Sequence, residues 1–187
     1  MGAPLTKQEQ AVLLGIARDA ITSYLRNGTI VEPAQEEESL NQHLGCFVTL
    51  SQAGQLRGCI GTFTSQRPLC KEVAVMAITA ATEDPRFYPM GKDDLDNFSI
   101  EISVLSPLRK TKDPAEISIG LHGIYLEKND QSGVLLPQVA IEQCWDRKAF
   151  LQHTCYKAGL EKDDWQAADC NIYLFTAQIM RESDSQK

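Results

Sequence analysis

Apolar positions recur at helical spacing near the start of the chain, where Val12, Leu13, Ile16, Ala17, Ala20, Ile21, Tyr24 and Leu25 form one stripe. Thr6 and Glu9 form a capping box ahead of it, and Asn27-Gly28 supplies a left-handed stop, so a first helix is predicted. The period then changes to two. Residues 46–50 and 56–63 read as strands around a glycine-containing hairpin loop at 51–55. Arg67-Pro68 opens a second helical pattern through Leu69, Val73, Ala77, Ala80 and Ala81, which ends before Asp84-Pro85. Residues 98–104 alternate as a strand that Pro107 ends, and 121–127 with 133–136 read as a further strand pair. Pro137 opens a short helix, and Asp146 caps another with Phe150, Leu151, Cys155 and Ala158 on its apolar stripe. Residues 171–180 read as one final strand.

Helices and strands are mixed rather than strictly alternating, which predicts an α+β fold with an antiparallel or mixed sheet flanked by helices. At 187 residues the chain is expected to form one compact domain with a core over roughly 8–180. Residues 28–43 carry Gly, Pro and the acidic run Glu36-Glu37-Glu38 without a period, and read as a mobile surface loop. The tail at 181–187 is expected to be disordered.

Charge narrows the function. The formal net charge is -7, which repels a phosphate backbone, so nucleic acid is not an expected partner. No export signal is seen, and no run approaches the roughly 18 to 20 apolar residues of a membrane span, so a cytoplasmic chain without a membrane partner is expected. The six cysteines are accordingly read as free thiols. They form no Cys-x-x-Cys pair, and neither a metal site nor a resident cofactor is predicted.

Candidate chemistry concentrates in Leu56-Arg57-Gly58-Cys59-Ile60-Gly61-Thr62-Phe63. As a regular strand it would put Arg57, Cys59, Gly61 and Phe63 on one face and Leu56, Gly58, Ile60 and Thr62 on the other. A neighbouring cation favours thiolate over thiol, which would make Cys59 a nucleophile. The spacing by itself favours a small buried cysteine, with Arg57 in an ordinary surface ion pair. Gly58 and Gly61 mark a bulge or a close approach by ligand or backbone. In Asp84-Pro85-Arg86-Phe87, Arg86 is either a clamp for an anion or the partner of Asp84 in a turn-fixing ion pair. His122, between Leu121 and Gly123, is a candidate acid or base, and Gln138 and Glu142 fall one helical turn apart. Cys70 and Cys155 fall on apolar helical stripes, and Trp145 and Trp165 read as packing residues.

These blocks, in order, resemble the AMMECR domain family. The resemblance is carried by the octapeptide 56–63, Ala80 to Phe87, Ser103 to Pro107, His122-Gly123-Ile124, Leu135 to Glu142 and Cys155 to Leu160, and spans roughly residues 8–180. Tyr88 after Phe87, and Cys144 before Trp145, depart from the usual pattern. The resemblance implies two subdomains with the octapeptide near their junction. It also implies a place in the so-called AmmeMemoRadiSam system, beside a Memo-type protein and a radical SAM enzyme. On that basis Cys59, His122 and Glu142 are expected to be catalytic. Arg57, Gly58, Gly61, Thr62, Asp84, Arg86 and Gln138 are expected to bind a small-molecule or protein substrate. The alternative is a non-catalytic scaffold for those two partners; a nucleic-acid-associated regulator ranks last.

Overall fold

A computed structural model describes residues 4–182. It has helices and two four-stranded sheets with antiparallel pairings, an α+β fold. The chain divides into two compact units: one takes the residues up to Leu105 and again from Gln178, the other runs from Ser106 to Ala177.

The first unit starts with α1 (Lys7–Asn27), whose capping box closes as predicted. The Glu9 N–H donates to Thr6 Oγ1 at 3.3 Å and the Thr6 N–H to Glu9 Oε2 at 2.6 Å, while Gly28 at φ 68° ends the helix. Its sheet is ordered β2-β1-β3-β8, built from β1 (Cys46–Gln52), β2 (Gln55–Thr62), β3 (Ser99–Leu105) and β8 (Ala177–Arg181). The helix α2 (Leu69–Thr82) packs on it with α1, and Leu13, Ile21, Val48, Leu50, Val73, Ala77, Ile100 and Ile102 form the core between them. Each large aliphatic side chain buried there contributes about 1.5–3 kcal/mol. The acidic connection is pinned at Leu40, which is fully buried on a short 3-10 turn, and at Glu32, which pairs with Lys71 at 2.8 Å.

The β1–β2 hairpin corrects two expectations. Its connection is a two-residue turn at Ala53-Gly54, both at positive φ, so the strands continue into the segment expected to be a five-residue loop. The register then shifts: Ser51 faces Leu56 and Leu50 faces Gly58, leaving Arg57 as the extra residue of a β-bulge. Paired residues share a face, so the bulge moves Leu56 to the side of Cys59 and Thr49 and leaves Gly58 and Ile60 with the buried Leu50 and Val48.

The second unit has a sheet ordered β4-β7-β5-β6, from β4 (Arg109–Thr111), β5 (Gly123–Lys128), β6 (Gln131–Leu135) and β7 (Asn171–Phe175). The short α3 (Pro137–Glu142) and the longer α4 (Arg147–Lys157) accompany it. Phe150, Leu151 and Cys155 of α4 meet Ile124, Leu126, Ile172 and Leu174 in the core. Trp145 and Trp165 pack against this core as expected. The final strand expected over 171–180 is two strands, because Thr176 breaks it: its C=O and N–H bond to Ser106, at 2.9 and 3.0 Å. Each half joins a different sheet. Arg181 closes β8 and Glu182 accepts from the Ile100 N–H at 2.8 Å, while residues 183–187 lie outside the described residues.

Candidate functional site

Cys59 lies on β2, an outermost strand of its sheet, so one side of its backbone has no neighbouring strand. A side-chain pair takes that place. The Cys59 N–H donates to Asp84 Oδ2 at 2.8 Å, and Arg86 Nη2 donates to the Cys59 carbonyl at 3.1 Å. Asp84 and Arg86 are locked to each other as well, through Arg86 Nη2 to Oδ2 at 2.6 Å, Arg86 Nε to Oδ1 at 2.9 Å and the Arg86 N–H to Oδ1 at 3.1 Å. The turn-fixing ion pair read from the sequence is therefore present. It also does what an adjacent strand would do, satisfying both backbone groups of Cys59.

The electrostatics follow from that geometry. Asp84 is buried while the Arg86 side chain is about half exposed. Hydrogen bonds from Arg86, supported by the Cys59 and Arg86 backbone N–H groups, hold the Asp84 carboxyl well below the usual carboxylate range against the opposing effect of burial. Arg86 is in turn held more firmly protonated, first by Asp84 and to a lesser degree by Cys59.

The Cys59 side chain is partly exposed, and Thr49, its cross-strand partner, places Oγ1 3.2 Å from Sγ. Arg57 forms the ordinary ion pair of the second reading and does not serve the thiol. Its guanidinium lies 4.0 Å from Asp94, and Arg86 is the cation that reaches Cys59. The bulge at Arg57 is the reason, since it breaks the alternation on which the expectation rested. Gly58 and Gly61 are close-approach positions. A Cβ on Gly58 would lie 2.1 Å from the Ala80 carbonyl oxygen of α2, and one on Gly61 would lie 2.4 Å from the Cys46 carbonyl oxygen and the Phe47 ring. Both contacts are made by the protein itself. The Phe47 and Phe63 rings lie 4.9 Å apart, tilted by 58°, beside Gly61, and Thr62 Oγ1 donates to the Thr64 carbonyl at 2.7 Å.

The other three candidates belong to the second unit. His122 Nδ1 accepts from the Ser118 N–H at 3.1 Å. Gln138 keeps its buried Oε1 without a hydrogen-bond donor, and Glu142 is exposed one turn further along α3. Among the described residues no group of three or more His, Cys, Asp or Glu could hold a metal ion, and no helix is long and apolar enough to cross a membrane.

Sequence reasoning missed Thr49 and Asp94. A hairpin with a two-residue turn and no bulge pairs Thr49 with Gly58, so no local signal pointed to Thr49 as the neighbour of Cys59.

Of the other thiols, Cys144 is exposed and Cys170 is partly exposed like Cys59. Cys46, Cys70 and Cys155 are buried. Burial pushes the Cys155 thiol up to about 11 and raises those of Cys46 and Cys170 as well.

Two antiparallel sheets with their own helices, and an edge strand carrying a clamped cysteine, define an α+β protein built around one motif strand. The chain belongs to the AMMECR1 family, whose model matches residues 14–180. It is 42% identical to protein MK0488 of Methanopyrus kandleri, covering 98% of this chain and 93% of that one. It is 41% identical to protein PH0010 of Pyrococcus horikoshii. The crystal structure titled as that of the uncharacterized protein PH0010 superposes with a TM-score of 0.83, covering 91% of this chain and 89% of that chain.

Proposed function

We propose that Cys59 is the working group of a Cys-dependent step on a small molecule or protein, as nucleophile or covalent carrier. The observation that carries this reading is the double grip on its backbone. Asp84 and Arg86 hold both polar main-chain groups of Cys59, while its side chain stays partly exposed and three other thiols are buried. A reacting atom so held loses little orientational freedom when substrate arrives. Arg86 uses Nε and Nη2 on Asp84 and Cys59, so Nη1 remains for an anionic part of the substrate. His122 and Glu142 enter the proposal as proton-handling groups of the second unit, and Gln138 as a substrate-binding group. The pathway context is the one the family resemblance implies, shared with a Memo-type protein and a radical SAM enzyme.

The test is Cys59→Ser in a complementation assay for that pathway, together with alkylation of the folded wild-type protein followed by mass spectrometry. The expected outcome is a folded variant that fails to complement, and alkylation of Cys59 ahead of the other five thiols, the exposed Cys144 and partly exposed Cys170 included. Full complementation by a folded Cys59→Ser protein would sink the catalytic reading.

One observation favours a second reading, a docking face for the two partners. Leu56 and Tyr88 are apolar or aromatic side chains exposed to 44% and 92%, on the Cys59 face of β2 and two residues beyond Arg86 respectively. On this reading Leu56→Ser with Tyr88→Ser abolishes co-elution with the purified partners and Cys59→Ser retains it. Unchanged co-elution of the double variant removes the reading.

A further inference from the structure

The second unit carries two adjoining cavities that the proposed Cys59 chemistry does not use. One, of about 440 Å³, is lined by Pro114, Asp146, Arg147, Lys148, Leu151 and Trp165. The other, of about 400 Å³, is reached by Lys110 and Lys112 and shares Pro114, Trp165 and Gln166 with the first. Each is within the size range of small-molecule sites, and the shared residues make them two lobes on either side of Trp165.

Two features give this region a polarity. The first is charge: in a chain of net charge -7, four cations line the lobes against a single carboxylate, Asp146, whose Oδ1 is engaged by the Ala149 N–H at 2.7 Å. None of the four has an ion-pair partner among the described residues; Lys110 reaches only the face of Tyr173, 5.9 Å away, and Arg147 commits only Nε, to the Ile117 carbonyl at 3.0 Å. The second is position. Arg147 and Lys148 open α4, where the helix dipole opposes cations and favours an anion. Free cations and a helix N-terminus both call for negative oxygen atoms, and Trp165, Pro114 and Leu151 supply an apolar wall for the body that carries them.

We infer that this double cavity binds a small organic phosphate, with phosphate oxygens at Arg147, Lys148 and the Lys110–Lys112 lobe and a planar body against Trp165. Phosphate is favoured over carboxylate because it offers more acceptor oxygens and charge to a cluster of four cations and a helix terminus.

The experiment is an NMR titration of the full chain with ADP at constant ionic strength, following the two indole N–H resonances. Trp145 lies stacked on His153 at 3.8 Å and lines neither lobe, so it is the internal control; Trp165→Phe assigns the signals. The expected result is a saturable shift of Trp165 with Trp145 still, reversed by inorganic pyrophosphate. Lys112→Ala and Lys148→Ala, both at exposed positions, should each weaken ADP by about three- to tenfold while leaving the spectrum folded. The inference is overturned if Trp165 does not move by about 10 mM ADP, where even millimolar affinity would show. It is also overturned if pyrophosphate fails to compete, if both lysine variants bind like the wild type, or if citrate binds as tightly as ADP.

Discussion

The two units handle charge in opposite ways. Both carboxylates buried among the described residues, Glu72 and Asp84, belong to the first unit, and both serve to hold chain in place around the octapeptide. Glu72 accepts from Ser65 Oγ at 2.5 Å and lies 3.5 Å from Arg67 Nη1, just beyond β2, and Asp84 grips Cys59 itself. The buried polar residues of the second unit are only Thr111 and Thr154, while four of its cations line cavities without an ion-pair partner. Buried charge rigidifies because leaving any member unpaired is so costly, whereas an exposed cation remains available to a ligand. The first unit is thus built to fix a backbone, and the second to receive an anion.

The largest test of that contrast is steric. Gly58→Val puts a Cβ against the Ala80 carbonyl of α2, a backbone atom that cannot rotate away, and should lower stability by about 3 kcal/mol, at the upper end of overpacking costs. Urea denaturation measures it. A change below about 0.5 kcal/mol, the range of ordinary surface substitutions, would mean that helix and strand are not held together as described.

Next is Asp84→Asn, which replaces one carboxylate oxygen by a donor inside a cluster of donors and should cost about 2 kcal/mol. Its pH dependence is diagnostic. The Asp84 carboxyl titrates lower in the folded protein than in the unfolded chain, so its stabilisation is complete above the unfolded value of about 3.9 and is lost as pH falls toward the folded one. Wild-type stability should therefore fall more steeply than that of Asp84→Asn as pH drops below about 4. Parallel curves would remove Asp84 from the acid response.

The smallest effects compare helix caps, one from each unit. Thr6→Ala in the first unit and Asp146→Ala in the second should each cost about 1 kcal/mol by thermal or urea unfolding, since each removes an acceptor from a helix N-terminal N–H. The Asp146 change removes the one carboxylate that lines the cationic cavity, so it should also tighten ADP binding while it weakens the fold. Looser ADP binding in that variant would break the assignment of the second unit as the anion-receiving one.

Much of the fold was legible in order along the chain. The capping box at Thr6 and Glu9, the glycine stop at Gly28, the small-residue stripe of α2 and the cap at Asp146 all act within a few residues, and each element formed where its pattern placed it. The split at Thr176 was not legible, because the strand-like pattern continues through it and only bonds to Ser106, 70 positions earlier in the chain, decide that the two halves join different sheets. β4, three residues long, carried too little pattern to be seen.

In the candidate site the division is the same. Sequence alone placed a strand close to the observed Gln55–Thr62, narrowed its two glycines to a bulge or a close approach, marked Cys70 and Cys155 as packing thiols, and reduced Arg86 to two roles, an anion clamp or the partner of Asp84. These properties follow from side-chain size, backbone freedom and short spacings. Only the tertiary structure decided that a bulge at Arg57 resets the strand's faces, that Arg86 rather than Arg57 meets Cys59, and that four cations separated along the chain line one pair of cavities. The bulge is set by the pairing of Leu50 with Gly58 and Ser51 with Leu56, and the Arg86 contact joins residues 27 positions apart; both depend on how strands and helices pack and not on any periodicity a single segment can carry.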